Sequence, residues 1–158
     1  KVIANEEWKY DTLIDLYNSL NISQCIIYVN YKDKLMKIYE ELINNDYPVD
    51  FIHGEISKDE RESKILDFKN GKTRLLLSTD LLARGIDVQQ LNLVINYDLP
   101  RSKETYIHRI GRSGRYGRKG VAINLVGQRD QRSLSEIQEH YKINIDDLPQ
   151  NLSEIFNI

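Results

Sequence analysis

Cysteine is almost missing: Cys25 stands alone among 158 residues. A single thiol closes no disulfide within the chain, so the fold has to hold by packing, as suits a reducing compartment. Cys25 adjoins an apolar run and reads as a small buried side chain. No apolar run is long enough to cross a bilayer, and no signal peptide is expected. Neither sign of charge prevails, with 22 Lys and Arg against 24 Asp and Glu. A chain of net charge −2 is no polycation, so any nucleic-acid site has to be a local patch. Methionine occurs once, at Met36, and the sequence opens at Lys1. The expectation is an excised domain, residues 1–158, large enough for one core.

A second group of absences concerns nucleotide chemistry. Asn70-Gly71-Lys72-Thr73 carries the Gly-Lys-Thr end of a phosphate-binding loop, but the upstream glycine of that motif falls at Leu66. The order is also reversed, because such a loop follows a strand and opens a helix. Here Gly71 is expected to close a helix, with the strand following. No apolar strand ends in an Asp-Glu pair able to hold Mg²⁺. The chain by itself is therefore expected to be a poor nucleotide hydrolase.

What the chain does contain is a spaced set of arginines. Residues 108–115 read His-Arg-Ile-Gly-Arg-Ser-Gly-Arg, so Arg109, Arg112 and Arg115 recur every third position around Gly111 and Gly114. Gly117 and Arg118 extend the pattern. A guanidinium is permanently charged, and its planar donors match phosphate oxygens. Glycines between them let backbone and ligand approach closely. Several such groups on one turn grip polyphosphate and suit the charge that develops in phosphoryl transfer. From Arg101 to Lys119 the only acid is Glu104, which makes this the basic patch. Arg118 and Lys119 also fit plain solvated surface charge.

Hydrophobic periodicity switches repeatedly between two and 3.6 residues. Short apolar runs at 24–29, 49–52, 74–78, 93–96 and 121–126 read as strands. Helical spacing covers 7–20, 32–45, 103–110 and 132–141. A further helix follows Ser57, with Glu60 placed for a capping box and Asn70-Gly71 as its stop. The opening helix carries Trp8, Leu13, Leu16, Tyr17 and Leu20, and the helix after Ser57 is expected to bury Ile65, Leu66 and Phe68. Strand and helix alternate, and most strands are apolar throughout. That pattern predicts an α/β fold with a mainly parallel sheet of five or more strands covered by helices on both faces. Ligands on such sheets bind beyond the carboxyl ends of the strands. Asn30, His53-Gly54 and Thr79-Asp80 lie at those ends. The tail from Asn144 is expected to fold back on the body.

Four motifs stand in order: Ile26 to Tyr31, His53-Gly54 with Arg61, Ser78-Thr79-Asp80-Leu81-Leu82-Ala83-Arg84-Gly85-Ile86-Asp87, and residues 108–115. In order and spacing they resemble motifs IV, IVa, V and VI of the second RecA-like domain of a DEAD-box ATP-dependent RNA helicase. The resemblance runs from about Asn5 to the end of the chain. Glu6-Glu7-Trp8-Lys9, Asp87-Val88-Gln89-Gln90, Asn96-Tyr97-Asp98-Leu99-Pro100 and the segment 117–124 are similar to the translation initiation factor 4A group and its exon-junction relative. The resemblance implies a RecA-like three-layer sandwich. It also implies a separate N-terminal domain that carries the P-loop and the Asp-Glu-Ala-Asp box. ATP and single-stranded RNA would bind between the two domains, with Mg²⁺ held mainly by the other one, and short RNA duplexes would be pried apart on closure.

Residue by residue, the resemblance makes Arg112 and Arg115 the arginines that reach the γ-phosphate. Gly85, Asp87 and Tyr116 would bind ATP. Asp87 also fits a turn or helix cap, and Tyr116 also fits packing. For RNA the implied contacts are Gly54, Arg61, Thr79, Arg84 and Asn30. His108 and Arg109 would brace the motifs internally. Lys58 stands where the family usually has Gln, and Tyr28-Val29 replaces the more usual Phe-Cys or Phe-Ile. A helical-repeat scaffold protein is an implied partner, no membrane is, and docking on that scaffold stands as a second role. Translation initiation in the cytoplasm, or an exon-junction clamp in the nucleus, is the implied setting.

Overall fold

The apolar runs form strands and the 3.6-residue repeats form helices, nearly at the expected boundaries. A computed structural model of the chain describes residues 1–20, 24–79, 93–110 and 121–148. The strands are β1 (Val2–Ile3), β2 (Cys25–Tyr28), β3 (Val49–Ile52), β4 (Leu75–Ser78), β5 (Leu93–Asn96) and β6 (Val121–Val126). The helices are α1 (Lys9–Ser19), α2 (Lys32–Asn44), α3 (Lys58–Lys69), α4 (Lys103–Ile110) and α5 (Gln131–Tyr141). The strands pair in the order β1-β6-β5-β2-β4-β3, and every pairing is parallel. The sequence does not signal β1, because two residues carry no period. It joins the edge through Val2 opposite Leu125.

Continuous burial of β2, β4 and β5 follows from cover on both faces. Alternate residues divide between two cores. Cys25, Ile27, Leu75, Leu77, Leu93 and Ile95 meet Leu13 and Leu16 of α1 and Leu35, Ile38 and Leu42 of α2. Ile26, Tyr28, Leu76 and Val94 meet Phe68 of α3 on the other face. The result is the expected three-layer sandwich. Cys25 is fully buried, and burial pushes its thiol far above the ordinary range.

Local chemistry sets the ends of α3. Ser57 Oγ accepts from the Glu60 backbone N–H at 3.1 Å, as the capping pattern predicts. At the other end Gly71 takes φ +80°, Gly71 N–H bonds Phe68 O, and Lys72 N–H bonds Asp67 O at 2.9 Å. This pair of bonds is a Schellman stop, so Gly71-Lys72-Thr73 is a helix end, as the order of elements requires.

Two expectations about burial are corrected. Leu66 is 57% exposed, whereas Phe68 is fully buried. Two residues along a helix turn the side chain by about 200°, so these two cannot share a face. Trp8 is 58% exposed, because it closes a 3₁₀ turn at Glu6–Trp8 rather than lying on the packed face of α1. The tail folds back as expected as far as it is described. Leu148 N–H bonds Lys1 O at 2.9 Å, and Ile145 packs on Leu99, Val126 and Leu134.

Candidate nucleic-acid and nucleotide interface

Because all strands point one way, their carboxyl ends form one rim. Asn5, Asn30, Gly54, Thr79, Asp98 and Gly127 stand along it, each just past the end of a strand. At its centre is Arg109, 1% exposed, delivered by the last turn of α4. Its Nη1 donates to Asn96 Oδ1 at 3.2 Å and to the Asp98 carbonyl at 2.6 Å. Its Nη2 donates to Asn30 Oδ1 at 2.5 Å, and the guanidinium lies 5.1 Å from the Tyr28 ring centroid. One planar cation thus ties the ends of β2 and β5 to α4. Lysine, a point charge, would not reproduce that fork.

Asn30 is held from several sides. Its backbone N–H donates to Asp98 Oδ2 at 2.9 Å, and its Nδ2 donates to Leu99 O at 2.8 Å. The amide oxygen and one amide N–H therefore serve the brace around Arg109. Asn96 Nδ2 continues inward to Asn124 Oδ1 at 2.7 Å, and Asn124 Nδ2 reaches Tyr106 OH at 3.3 Å. Burial raises the Tyr106 hydroxyl pKa above its usual value, and the Asn124 contact offsets part of that.

Asp98 is the hinge of a second network. Its Oδ1 accepts from Lys34 Nζ and lies 3.6 Å from Lys9 Nζ. Lys9, a buried cation, is also 3.3 Å from Glu6 Oε1 and 3.7 Å from Asp130 Oδ2. Asp130 in turn accepts from Gly127 N–H at 2.9 Å. Burial works against the Lys34 charge, but the hydrogen bonds to Asp98 and Glu6 outweigh it, and the Lys34 pKa is raised. The rim is thereby wired from β1 and β6 across to β2. Sequence reasoning missed Lys9, Lys34 and Asp98. A lysine in a helical repeat reads as solvated until the fold brings carboxylates from three other segments to it.

On the other flank stand three of the expected RNA contacts. Gly54 is exposed, and a Cβ built there would meet nothing within 4 Å. The space above it is open to an incoming group. Thr79 is half-buried beside it, its backbone N–H on Ile52 O at 3.3 Å. Arg61 lies in the first turn of α3, half-buried, and its side chain makes no hydrogen bond or ion pair with a described residue. A free guanidinium near the positive end of a helix is suited to phosphate. Lys58, 76% exposed, has only a 3.9 Å contact with Glu62 among the described residues. His53 is buried, its Nδ1 accepting from Glu55 N–H at 3.1 Å and its ring stacked on Phe51.

Arg84, Gly85, Asp87, Arg112, Arg115 and Tyr116 lie outside the described residues, as does the side chain of His108. Among the described residues no three carboxylate, imidazole or thiol groups converge as metal ligands, and no helix is long and apolar enough to cross a membrane.

A parallel sheet in three layers, with an arginine-centred polar lattice on its carboxyl rim, is the architecture of a RecA-like domain. The chain belongs to the helicase conserved C-terminal domain family, whose model matches residues 8–117, and its homologues are DEAD-box proteins. It is 51% identical over 153 residues to the ATP-dependent RNA helicase FAL1 of Kluyveromyces lactis, and 47% identical to eukaryotic initiation factor 4A of Caenorhabditis elegans. Each match covers 97% of this chain and 38% of the relative, so the chain spans about two fifths of the length of those proteins. A structure of the C-terminal domain of the DEAD-box protein Dbp5 has a TM-score of 0.84 at 37% identity, covering 98% of this chain and 92% of that one. Saccharomyces cerevisiae Dbp5 bound to RNA and ADP BeF3 has a TM-score of 0.87 at 38% identity, over 98% of this chain and 43% of that one.

Proposed function

We propose that this domain is the C-terminal half of an ATP-dependent RNA helicase, closing with an N-terminal RecA-like domain on ATP and single-stranded RNA. The observation that carries the reading is the Arg109 brace. It anchors the start of the arginine segment at the carboxyl rim, beside the open flank of Gly54, Thr79 and Arg61. In this reading Arg112 and Arg115 extend from that anchor to the γ-phosphate once the domains shut. Charge stabilisation then exists only in the closed state, which couples hydrolysis to RNA binding. Gly85, Asp87 and Tyr116 hold the nucleoside end, and Mg²⁺ rests mainly on the other domain. Gly54, Thr79, Arg61 and Arg84 grip the RNA backbone, contacts that position without reading sequence. Asn30 serves the RNA side from within, by holding the strand end in place. Similarity to an initiation factor 4A supports a role in translation initiation, and similarity to FAL1 and 4A-III proteins supports the wider RNA-clamp role. RNA and protein partners appear with the structural relatives, as in Dbp5 with Gle1. A protein scaffold that fixes the two domains is the corresponding partner here.

The test is Arg112→Ala and Arg115→Ala in the full-length protein. RNA-stimulated ATP turnover should fall by about 10³-fold or more, with RNA affinity in the absence of nucleotide little changed. Unchanged turnover in both variants would refute the assignment.

A further inference from the structure

The rim carries one arrangement that these roles leave unused. Tyr31 stands at the N-cap of α2, directly past β2. This position favours Ser, Thr, Asp or Asn, whose side-chain oxygens satisfy a free backbone N–H. Tyr31 makes no such bond, so α2 starts without a side-chain cap. Tyr31 is 53% exposed, a large aromatic residue half in water where a capping residue would be more stable. It is nonetheless held in place: the Arg101 guanidinium lies 4.5 Å from its centroid. Arg101 is itself exposed and has no ion-pair partner among the described residues. The next residue, Lys32, pairs with Glu55 at 2.5 Å, and Glu55 follows Gly54. Tyr31 therefore adjoins the open flank on which the RNA backbone is proposed to run.

We infer that Tyr31, steadied by Arg101, is a stacking platform for one base of the bound RNA strand, at the end of the track nearest α4. The inference rests on the RNA reading above and goes beyond it, because it adds a contact to a base face where the other contacts are to the backbone. An aromatic ring with a guanidinium against it, and no carboxylate of the described residues on that guanidinium, is complementary to a base flanked by phosphate. Stacking accepts any base, so the platform adds affinity without sequence preference. It also explains the missing cap: the position is given to a ligand-facing ring at the expense of the helix.

The experiment uses the full-length protein, ADP with beryllium fluoride, and a labelled single-stranded RNA decamer read by fluorescence anisotropy. Tyr31→Thr restores a capping hydroxyl. It should raise the thermal midpoint by about 2–4 °C while weakening RNA binding by about 5-fold or more. Tyr31→Phe should bind within about 2-fold of wild type, since the stacking face is kept. Arg101→Ala should make the dependence of affinity on salt less steep, by about one unit of slope or less. Decamers with a single abasic site moved along the strand locate the base. At one position the wild-type protein should lose as much affinity as Tyr31→Thr loses, and the variant should lose nothing more there. Equal RNA affinity of Tyr31→Thr and wild type would overturn the platform, as would a Tyr31→Thr deficit unaffected by every abasic position. If Arg61→Ala still weakens binding in that event, the platform alone has failed. If wild type shows no salt-dependent RNA binding at all, the functional reading fails with it.

Discussion

A carboxylate shared by two networks is the residue on which the rim depends. Asp98 is nearly buried, receives Lys34 and Lys9 on one oxygen and the Asn30 backbone on the other. Removing one partner of a buried ion pair leaves the other without compensation, an effect of about 3–5 kcal/mol. Asp98→Asn should therefore destabilise the domain by about 3 kcal/mol, partly relieved because Lys9 keeps Glu6 and Asp130. Chemical denaturation at pH 7 measures this. Groups on and near the rim also make stability depend on alkaline pH. Lys34 has a raised pKa in the fold, and burial raises Tyr97 and Tyr106 as well. The folded state thus holds protons that the unfolded chain gives up from about pH 10 upward, so stability is intact below that pH and falls as pH rises beyond it. Asp98→Asn should weaken the Lys34 share of this slope. A denaturation series from pH 8 to 11 reads both.

Among the elements, α3 shows how far a periodic pattern can be trusted. Its beginning and end follow from Ser57 and Gly71 alone, since a cap and a left-handed stop are local chemistry. Its buried face does not, because Ile65, Leu66 and Phe68 form a run too short to show which side meets the sheet. Phe68 is fully buried against Ile26, Leu76 and Val94, Ile65 packs on the same cluster half-buried, and Leu66 is exposed. Phe68→Ala should cost about 3–5 kcal/mol and Leu66→Ala less than about 0.5 kcal/mol, by urea denaturation. Equal effects would show that the helix sits rotated from the orientation described. The helix also carries Arg61 toward the rim, so a variant that unseats Phe68 should weaken RNA binding as well.

For the whole molecule, the sheet order predicts a gradient of stability. The central strands β2, β4 and β5 are buried on both faces, while β1 and β3 are edges with one neighbour each. Native-state hydrogen exchange should be slowest in β2, β4 and β5, and faster in β1 and β3. Rapid exchange in β2 would contradict the layering. The gradient has a functional side: Asn30 and Asp98 extend from β2 and β5, so the Arg109 brace is built on the most deeply buried part of the sheet.

Much of this protein was legible before any fold was known. Alternating periods gave the element order, fully apolar strands gave a parallel sheet, and parallel strands put Asn30, Gly54 and Thr79 on one rim, because burial is written in local spacing. The arginine run pointed to phosphate, and the ordered motifs pointed to the helicase class by their resemblance to that family. The tertiary structure alone decided the polar lattice. Arg109 meeting Asn30, or Lys9 meeting Asp98, joins residues about 80 to 90 positions apart, and no local pattern encodes a contact made by strands laid side by side. It alone also decided that Phe68 and not Leu66 meets the sheet, and left Tyr31 in the open, since burial is a property of what a surface finds opposite it.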